Sequence, residues 1–378
     1  MSELSTLRHS ALESERFGLR ISRAEMDDLE EKRLVGQIIA DSVDVAIIRL
    51  PAGLRTASSR LSRHGLPTLH ADTLVYYTLD LGTHVPRALR NQDLAFSIAT
   101  ITDAAELQAL VETTFVGYTS HYHANPNFPA ERILAGYLEW AGGYIDTSST
   151  DRITWVARRH GAIVAFACCK FNEHASTCEG VLYGVHPAHA GGGLYGDLIR
   201  HTQSEFKARG FGKMEVSTQV WNYAVQKVWA REGFVLARAL DTFHVNAMLS
   251  AADRIVEREV LFSNDQVERF ALASGDTNPL HLDDAKARAA GFEGRITHGM
   301  LAGAELSRIF GTEVPGAGTL YLRANMTFLR PVLAGQAHRL RILYRSSPGS
   351  RTTQAVATIT DAHGRACVLA YNDLLANR

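Results

Sequence analysis

Three consecutive glycines, Gly191, Gly192 and Gly193, sit in the string V-H-P-A-H-A-G-G-G-L-Y-G over residues 185–196, between a strand-like run and an amphipathic helical run. Each glycine costs backbone entropy in a helix or a strand, so neither element accounts for three in a row. A tight strand-to-helix turn does. Its amides point inward, and the helix amino terminus behind it faces an anion such as a pyrophosphate. On these residues alone, a connection with no ligand is an equal alternative. A dinucleotide fingerprint fits less well, because the turn lies in mid-chain with no acidic ribose partner placed downstream.

The pattern around the turn sets the organisation. A strand from Phe96 and a helix opened by Thr102 and Asp103 are followed by strand-like runs at 152–158 and 162–170. Then come strand, glycine turn, helix, strand (MEVSTQV), helix (NYAVQKVWAREG) and strand (FVLARALDTFHV), an alternation that implies a layered α/β domain. The pattern resets near 251–258, read as a short linker. Beyond it the chain shows a strand at 258–262, two short helices, a longer helix at 299–309 and four long alternating strands. One helix against a mostly antiparallel sheet is an α+β plan. Residues 1–95, with apolar strands DVAIIRL and TLVYYTL flanking a helix near 55–64, read as a third, smaller α/β piece. The expected domains are thus 1–95, 96–250 and 255–378, which suits 378 residues at ~100–200 per domain.

Charge and cysteine content exclude several classes. Lys and Arg total 39 against 40 Asp and Glu, a net charge of −1, so neither nucleic acid nor an anionic membrane has a global electrostatic attraction for the chain. The amino terminus is charged where a signal peptide is apolar, and no apolar run reaches the length of a spanning helix. Cys168, Cys169, Cys178 and Cys367 form no CxxC pair, and no His/Cys/Asp group has metal-ligand spacing. A cytoplasmic location and no metal are expected.

The sharpest constellation is A-S-G-D-T-N-P-L-H-L-D over residues 273–283. Gly275 permits a turn and Pro279 presets a short helix. Asp276 and His281 on such a turn can converge on one water. Hydrating an α,β-unsaturated thioester needs a polarised water, a proton for the α-carbon, and stabilisation of charge on the thioester oxygen. The carboxylate and imidazole supply the first two. Gly299 in I-T-H-G-M opens the longest helix of this region, so its amide and the helix dipole can supply the third.

These residues carry two resemblances. The glycine turn together with residues 222–234 resembles the GNAT acyltransferase superfamily, in which such a turn holds the coenzyme A pyrophosphate. That likeness implies phosphate binding by Val185, Gly191, Gly192, Gly193, Leu194, Tyr195 and Gly196. It also implies that Asn222 orients the pantetheine arm or a water. Ala190 stands where the family commonly has arginine, and Trp229 lies near where it has a tyrosine that protonates the thiolate; indole cannot do so, leaving Tyr223, Tyr195 or water. FGLRISR, DVAIIRLP and HADTLVYYTLDL are similar to the amino-terminal region of dTDP-fucosamine acetyltransferases, implying a nucleotide-linked amino-sugar acceptor. Residues 255–378 resemble the MaoC-like, R-specific enoyl-CoA hydratases of the hot-dog fold. Asp276, Asn278 and His281 match that family's Gly-Asp-x-Asn-Pro-x-His pattern, Gly299 its oxyanion amide, and Ser307 a serine that orients the catalytic aspartate; Phe292 and His298 also fit.

The expectation is therefore an α/β GNAT-type fold with an additional N-terminal α/β region, followed by an α+β hot-dog domain. Such a protein would hydrate a short enoyl-CoA and place the (R)-3-hydroxyacyl group on an amino-deoxysugar for a bacterial surface glycan. Its substrates would be coenzyme A thioesters with no permanently bound cofactor, and its assembly a homodimer through the hot-dog domains. The alternatives are a non-sugar amine, or one domain serving as a non-catalytic acyl-CoA module. His121, Tyr122 and His123 read as a polar surface loop, with an acceptor-site lining as the second choice. His186, His189 and Glu179 are candidate amine bases, and Cys168 and Cys169 read as core.

Overall fold

In V-A-I-I-R-L-P, residues 45–51, apolar side chains follow one another instead of alternating, which suits a strand covered on both faces. The computed structural model describes residues 6–145, 150–346 and 350–376 and puts this segment inside a ten-stranded sheet. Ala46, Ile48 and Leu50 enter one core with Leu34, Val35 and Ile38, while Val45 and Ile47 enter another with Phe17, Leu107 and Ile133. Each fully buried aliphatic side chain contributes about 1.5–3 kcal/mol.

Along the chain the elements run β1 (Arg8–His9), α1 (Ala11–Phe17), β2 (Ile21–Glu25), α2 (Glu31–Ala40), β3 (Val45–Pro51), α3 (Ala57–Ser62) and β4 (Thr68–Asp80). Next come β5 (Ala95–Ile98), α4 (Ala104–Phe115), α5 (Ala130–Gly142), β6 (Arg152–Arg159), β7 (Ala162–Asn172), β8 (Thr177–Val185), α6 (Leu194–Ala208), β9 (Lys213–Gln219), α7 (Tyr223–Arg231) and β10 (Val235–Asn246). The sheet order is β1-β2-β3-β10-β4-β9-β8-β7-β6-β5. Only β2/β3 and β8/β9 pair in parallel.

This order corrects the reading of residues 1–95 as a separate small piece. β9 and β10 are consecutive strands, yet β4 lies between them, antiparallel to both. The early strands therefore complete the sheet that the later ones begin. Local periodicity gives each strand but not its neighbours, which is why the expected boundary at residue 95 marks no break in the hydrogen-bond ladder.

The second sheet has the order β11-β13-β14-β15-β12, with β11 (Arg254–Leu261), β12 (Leu320–Phe328), β13 (Ala337–Ser346), β14 (Thr352–Thr360) and β15 (Ala366–Leu375), all antiparallel. Between β11 and β12 lie α8 (Asn264–Ser274), α9 (Pro279–Leu282), α10 (Asp284–Ala289) and α11 (Gly299–Thr312). Two short helices were expected there; α8 is an additional full helix, opened by a Ser263/Gln266 capping box. Ala302, Leu306, Ile309 and Phe310 recur at helical spacing and pack α11 onto Leu340, Ile342, Ala357 and Val368. No helix among the described residues is long and apolar enough to cross a membrane.

The two units share a core. Leu343, Val356 and Leu369 of the second sheet pack with Leu34 and Ile38 of α2. The expected linker is itself fixed: β11 already begins at Arg254. The fully buried Asp44 accepts bonds from the amides of Arg20 (2.8 Å), Ser250 (2.7 Å) and Ala251 (2.9 Å) and from the Ser250 hydroxyl. Bonds to a buried carboxylate are strong, and losing it orphans three amides at once. Asp44→Ala should cost about 3 kcal/mol. Urea unfolding will measure this, and faster proteolytic cutting near residue 250 should accompany it.

Candidate functional sites

The first site lies where β8 and β9 part. Their parallel pairing runs from Thr177/Lys213 to Gly180/Val216 and stops, although β8 continues to Val185 and β9 to Gln219. Opposite β7, the register of β8 slips between Gly180 and Leu182, a bulge centred on Val181. Bulges bend the strand that carries them, and here the bend opens a cleft between two formerly paired strands.

The glycine turn closes one end of that cleft. Gly191 and Gly193 have φ of +81° and +89°, so side chains are strained at both. Gly193 caps α6, whose first amides have no intrahelical partner. The fully buried Asp197 in the first turn of α6 accepts from the Arg90 amide (2.7 Å), the Asn91 amide (2.9 Å) and Asn91 Nδ2 (2.7 Å). Asn91 Nδ2 also donates to the Gly192 carbonyl at 3.1 Å. A strap from residues 90–91 thus holds the turn, and the side chain of Arg90 lies against it: a Cβ on Gly193 would come within 3.0 Å of Arg90 Cδ. Sequence spacing gave no sign of this strap, which joins positions about a hundred residues apart.

At the other end, Asn222 does not cap α7 with its side chain; its Nδ2 donates to Thr218 Oγ1 at 3.0 Å. Tyr118 donates its hydroxyl to Gln219. Trp229 is buried and donates from Nε1 to Tyr195 Oη at 3.2 Å. Burial raises the Tyr195 hydroxyl far above the ordinary phenol range, so it stays protonated. Tyr223 is exposed. Of the candidate bases, Glu179 pairs with Lys170 at 2.7 Å, His186 accepts the Ala188 amide, and His189 meets Arg159. Each is occupied by the scaffold. Cys168 and Cys169 are fully buried core.

His121 is buried, which corrects the surface-loop reading. Its Nδ1 lies 2.8 Å from His244 Nε2, and His244 Nδ1 lies 3.1 Å from Asn125 Nδ2. Burial, with the charges of Arg23 and Arg49 nearby, pushes His244 down to about 3 and His121 well below the histidine range. Both rings are neutral. The tyrosine between the two loop histidines, Tyr122, donates to Glu13, so His121 and Tyr122 turn inward from a short 3-10 turn while His123 stays exposed.

The second site is built on two anchored turns. Gly275 ends α8 in the left-handed region, φ +77°. Asp276 then closes a turn on the Asn278 amide (3.2 Å), and Asn278 caps α9 through the Leu280 amide (3.2 Å). His281 directs Nδ1 at the Ile296 carbonyl, 2.8 Å away. That nitrogen must carry the proton, so Nε2 is left as an acceptor. It stands 4.0 Å from Asp276 Oδ2, too far for a direct bond and suited to a shared water. His298 donates from Nε2 to the Asp276 carbonyl at 3.0 Å, its ring 3.9 Å from that of His281, and its buried Nδ1 has no partner. Gly299 follows as the first residue of α11; a Cβ there would meet Phe328 Cζ at 2.8 Å, so a larger residue would have to displace the half-exposed Phe328 ring.

Ser307 is exposed on α11 in the single chain and makes no hydrogen bond to Asp276 among the described residues. Eight residues of helix, about 12 Å, separate it from Gly299. The fold brings in His298. It also produces a grouping that chain spacing concealed: ligand-type atoms of Asp276, His281 and His298 lie within 4.8 Å of one another.

Residues 107–234 match the Acetyltransferase (GNAT) family, and residues 248–364 match the MaoC like domain. A mitochondrial 3-hydroxyacyl-[acyl-carrier-protein] dehydratase of Arabidopsis thaliana is 36% identical over 103 residues, 27% of this chain and 60% of that protein. An (R)-specific enoyl-CoA hydratase of Aeromonas caviae is 43% identical over 74 residues, 20% of this chain and 55% of that protein. The chain thus spans 55–60% of the length of these two relatives. Among solved structures, the (R)-hydratase from A. caviae involved in PHA biosynthesis is 27% identical with a TM-score of 0.32, covering 34% of this chain and 97% of that one. The GCN5-related N-acetyltransferase from Sphaerobacter thermophilus is 15% identical with a TM-score of 0.41, covering 53% and 59%. One polypeptide therefore joins a GNAT-family acyltransferase domain to a MaoC-like hot-dog domain.

Proposed function

We propose that the chain is a bifunctional enzyme working on coenzyme A thioesters. The second unit hydrates a short enoyl-CoA, such as crotonyl-CoA, to the (R)-3-hydroxyacyl-CoA, and the first transfers that acyl group to a primary amine on a dTDP-linked amino-deoxysugar. The observation that carries the hydration reading is the convergence of Asp276 Oδ2 and the unprotonated His281 Nε2 on one point beside the first amide of α11. A water held there loses a proton to Nε2 as its oxygen bonds to C3. The imidazolium returns that proton to C2 on the same face, so addition is syn. Charge on the thioester oxygen meets the Gly299 amide at a helix amino terminus. Asn278 and His298 hold the turn.

Transfer is supported by the parting of β8 and β9 above the glycine turn. The pyrophosphate would rest on amides of residues 191–196, with Val185 ending the strand beside the pantetheine arm and Asn222 at its far end. Tyr195, whose hydroxyl accepts from Trp229, Tyr223 or a water would give the departing sulfur its proton.

For assembly, β12 is an edge strand with Leu320, Leu322 and Phe328 half exposed. Unpaired apolar edges invite a second copy, and Phe328 lies against Gly299, so a homodimer through β12 would also wall the hydration site.

Asp276→Asn and His281→Ala should each lower crotonyl-CoA hydration at least ~100-fold, read as loss of enoyl absorbance, and leave transfer of a supplied saturated acyl-CoA within about twofold. If Asp276→Asn stops both reactions in a folded protein, the two-site reading fails. Thiol release with a panel of dTDP-amino sugars tests the acceptor; release only with simple amines would remove the sugar. Dialysis against a chelator should leave hydration unchanged, because the Asp276, His281 and His298 atoms are read as a water cradle; a loss restored by a divalent ion would make them metal ligands. Leu322→Arg should shift sedimentation to the monomer and depress hydration.

A further inference from the structure

Beside the cleft, one row of residues crosses three strands. Arg49 of β3 pairs in register with Thr242 of β10, and Thr242 with Asp72 of β4. Charged residues in the middle of a buried sheet are costly unless paired, and these are not paired with each other. Asp72 is only 9% exposed, and its carboxylate oxygens make no hydrogen bond of full geometry, with Thr242 and Gln219 close enough to act on it as hydrogen-bonding neighbours. The fully buried Thr242 hydroxyl and the buried Nε of Arg49 also lack partners. Burial moves the Asp72 carboxyl upward from its ordinary range, with Thr242, Arg49, His70 and Gln219 opposing. Gln219 is the last residue of β9, bonded to Tyr118 at the mouth of the cleft.

We infer that this row is the acceptor site, with Asp72 receiving the acceptor's ammonium and Arg49 an anionic group, carboxylate or phosphate, on the same molecule. The inference rests on the transfer reading above and specifies its substrate: an amine that also carries an anion. Strands lie about 4.8 Å apart, so the backbones of Arg49 and Asp72 are about 10 Å apart across β10, and a small bifunctional molecule can bridge their side chains. The neutral His121 and His244 add no charge near Arg49, and the other cation acting on them, Arg23, is paired with Glu13 at 3.5 Å.

The chemistry balances. The ammonium gives one proton to the Asp72 carboxylate and becomes a nucleophilic amine. Its nitrogen bonds to the thioester carbonyl carbon, the carbon–sulfur bond breaks, the departing sulfur takes a proton from the acid beside it, and the second nitrogen proton restores that acid. Asp72 returns its proton to solvent. The sum is amide, free thiol and one proton.

The test pairs turnover with direct binding, using full-length protein and a supplied saturated acyl-CoA. One arm offers a dTDP-linked amino-deoxysugar and glucosamine 6-phosphate, with glucosamine as the neutral counterpart. The other offers L-α-amino acids, with their amides as counterparts. The wild type should favour the anionic member of one arm by at least tenfold in KM, and the arm in which this occurs identifies phosphate or carboxylate. Arg49→Gln should erase that preference while the KM for acyl-CoA stays within twofold, and Arg49→Lys should restore part of it. Asp72→Asn should lower kcat at least 100-fold without weakening acyl-CoA binding. Turnover that is indifferent to Arg49→Gln and Asp72→Asn in folded protein overturns the inference while transfer stands. Calorimetric binding of an anionic amine that depends on Arg49, with no turnover of any amine, keeps the site and overturns the transfer reading instead.

Discussion

The parallel pairing between β8 and β9 lasts four residues, and the chemistry of the first unit is arranged around its end. Had the ladder continued to Val185 and Gln219, the space between the strands would be filled by their own hydrogen bonds. The bulge at Val181 turns β8 aside, and the chain then needs a reversal into α6 close to the opening. Glycine supplies that reversal at two left-handed positions, so helix amides and strand ends come to face one volume. Tyr118 from the α4–α5 connection, Asn222 at the start of α7 and Tyr195 in the first turn of α6 then reach the same region from three elements. None of them would meet in a sheet with an unbroken ladder.

The second unit reaches convergence differently, through bonds between two turns distant in sequence. The segment 276–281 is tied to 296–298 by the His281–Ile296, Ile296–Leu280 and His298–Asp276 bonds. These fix Asp276 relative to the first turn of α11, where the Phe328 ring lies against Gly299. Positioning by backbone carbonyls leaves the reactive atoms, Asp276 Oδ2 and His281 Nε2, uncommitted.

These differences decide what the sequence revealed. The G-D-T-N-P-L-H string and the glycine turn are legible because turn chemistry is local: Gly275 and Gly193 are needed by their own φ, and Asn278 caps the helix beginning at the next residue. The position of β4 between β9 and β10 is not legible, since strand order is a long-range choice that alternation does not encode. With it went Asp72, which reads as one acidic residue in H-A-D-T-L-V-Y-Y; the apolar residues on its flank were the available signal that this carboxylate is buried. His121 was misplaced because a run of polar residues ordinarily marks a surface turn, while here the partner that satisfies it, His244, comes from a strand 123 residues later. Ser307 is legible only through the family pattern, since nothing local to its helix marks it.

The two units also differ in where they leave polar groups unsatisfied. In the hot-dog unit the candidate catalytic carboxylate is half exposed, within reach of water. In the GNAT unit, Asp72, Thr242 and Arg49 hold unpartnered polar atoms inside a sheet whose neighbouring strands are covered on both faces. Replacing such groups with apolar ones usually stabilises a fold, so their presence opposes folding and requires a compensating contact. Asp44 provides the contrast within the same sheet: it is fully buried, and protein amides and a hydroxyl satisfy it. The chain thus satisfies one buried carboxylate fully with its own amides and leaves another short of partners where β8 and β9 part, which is the physical ground for proposing a ligand there.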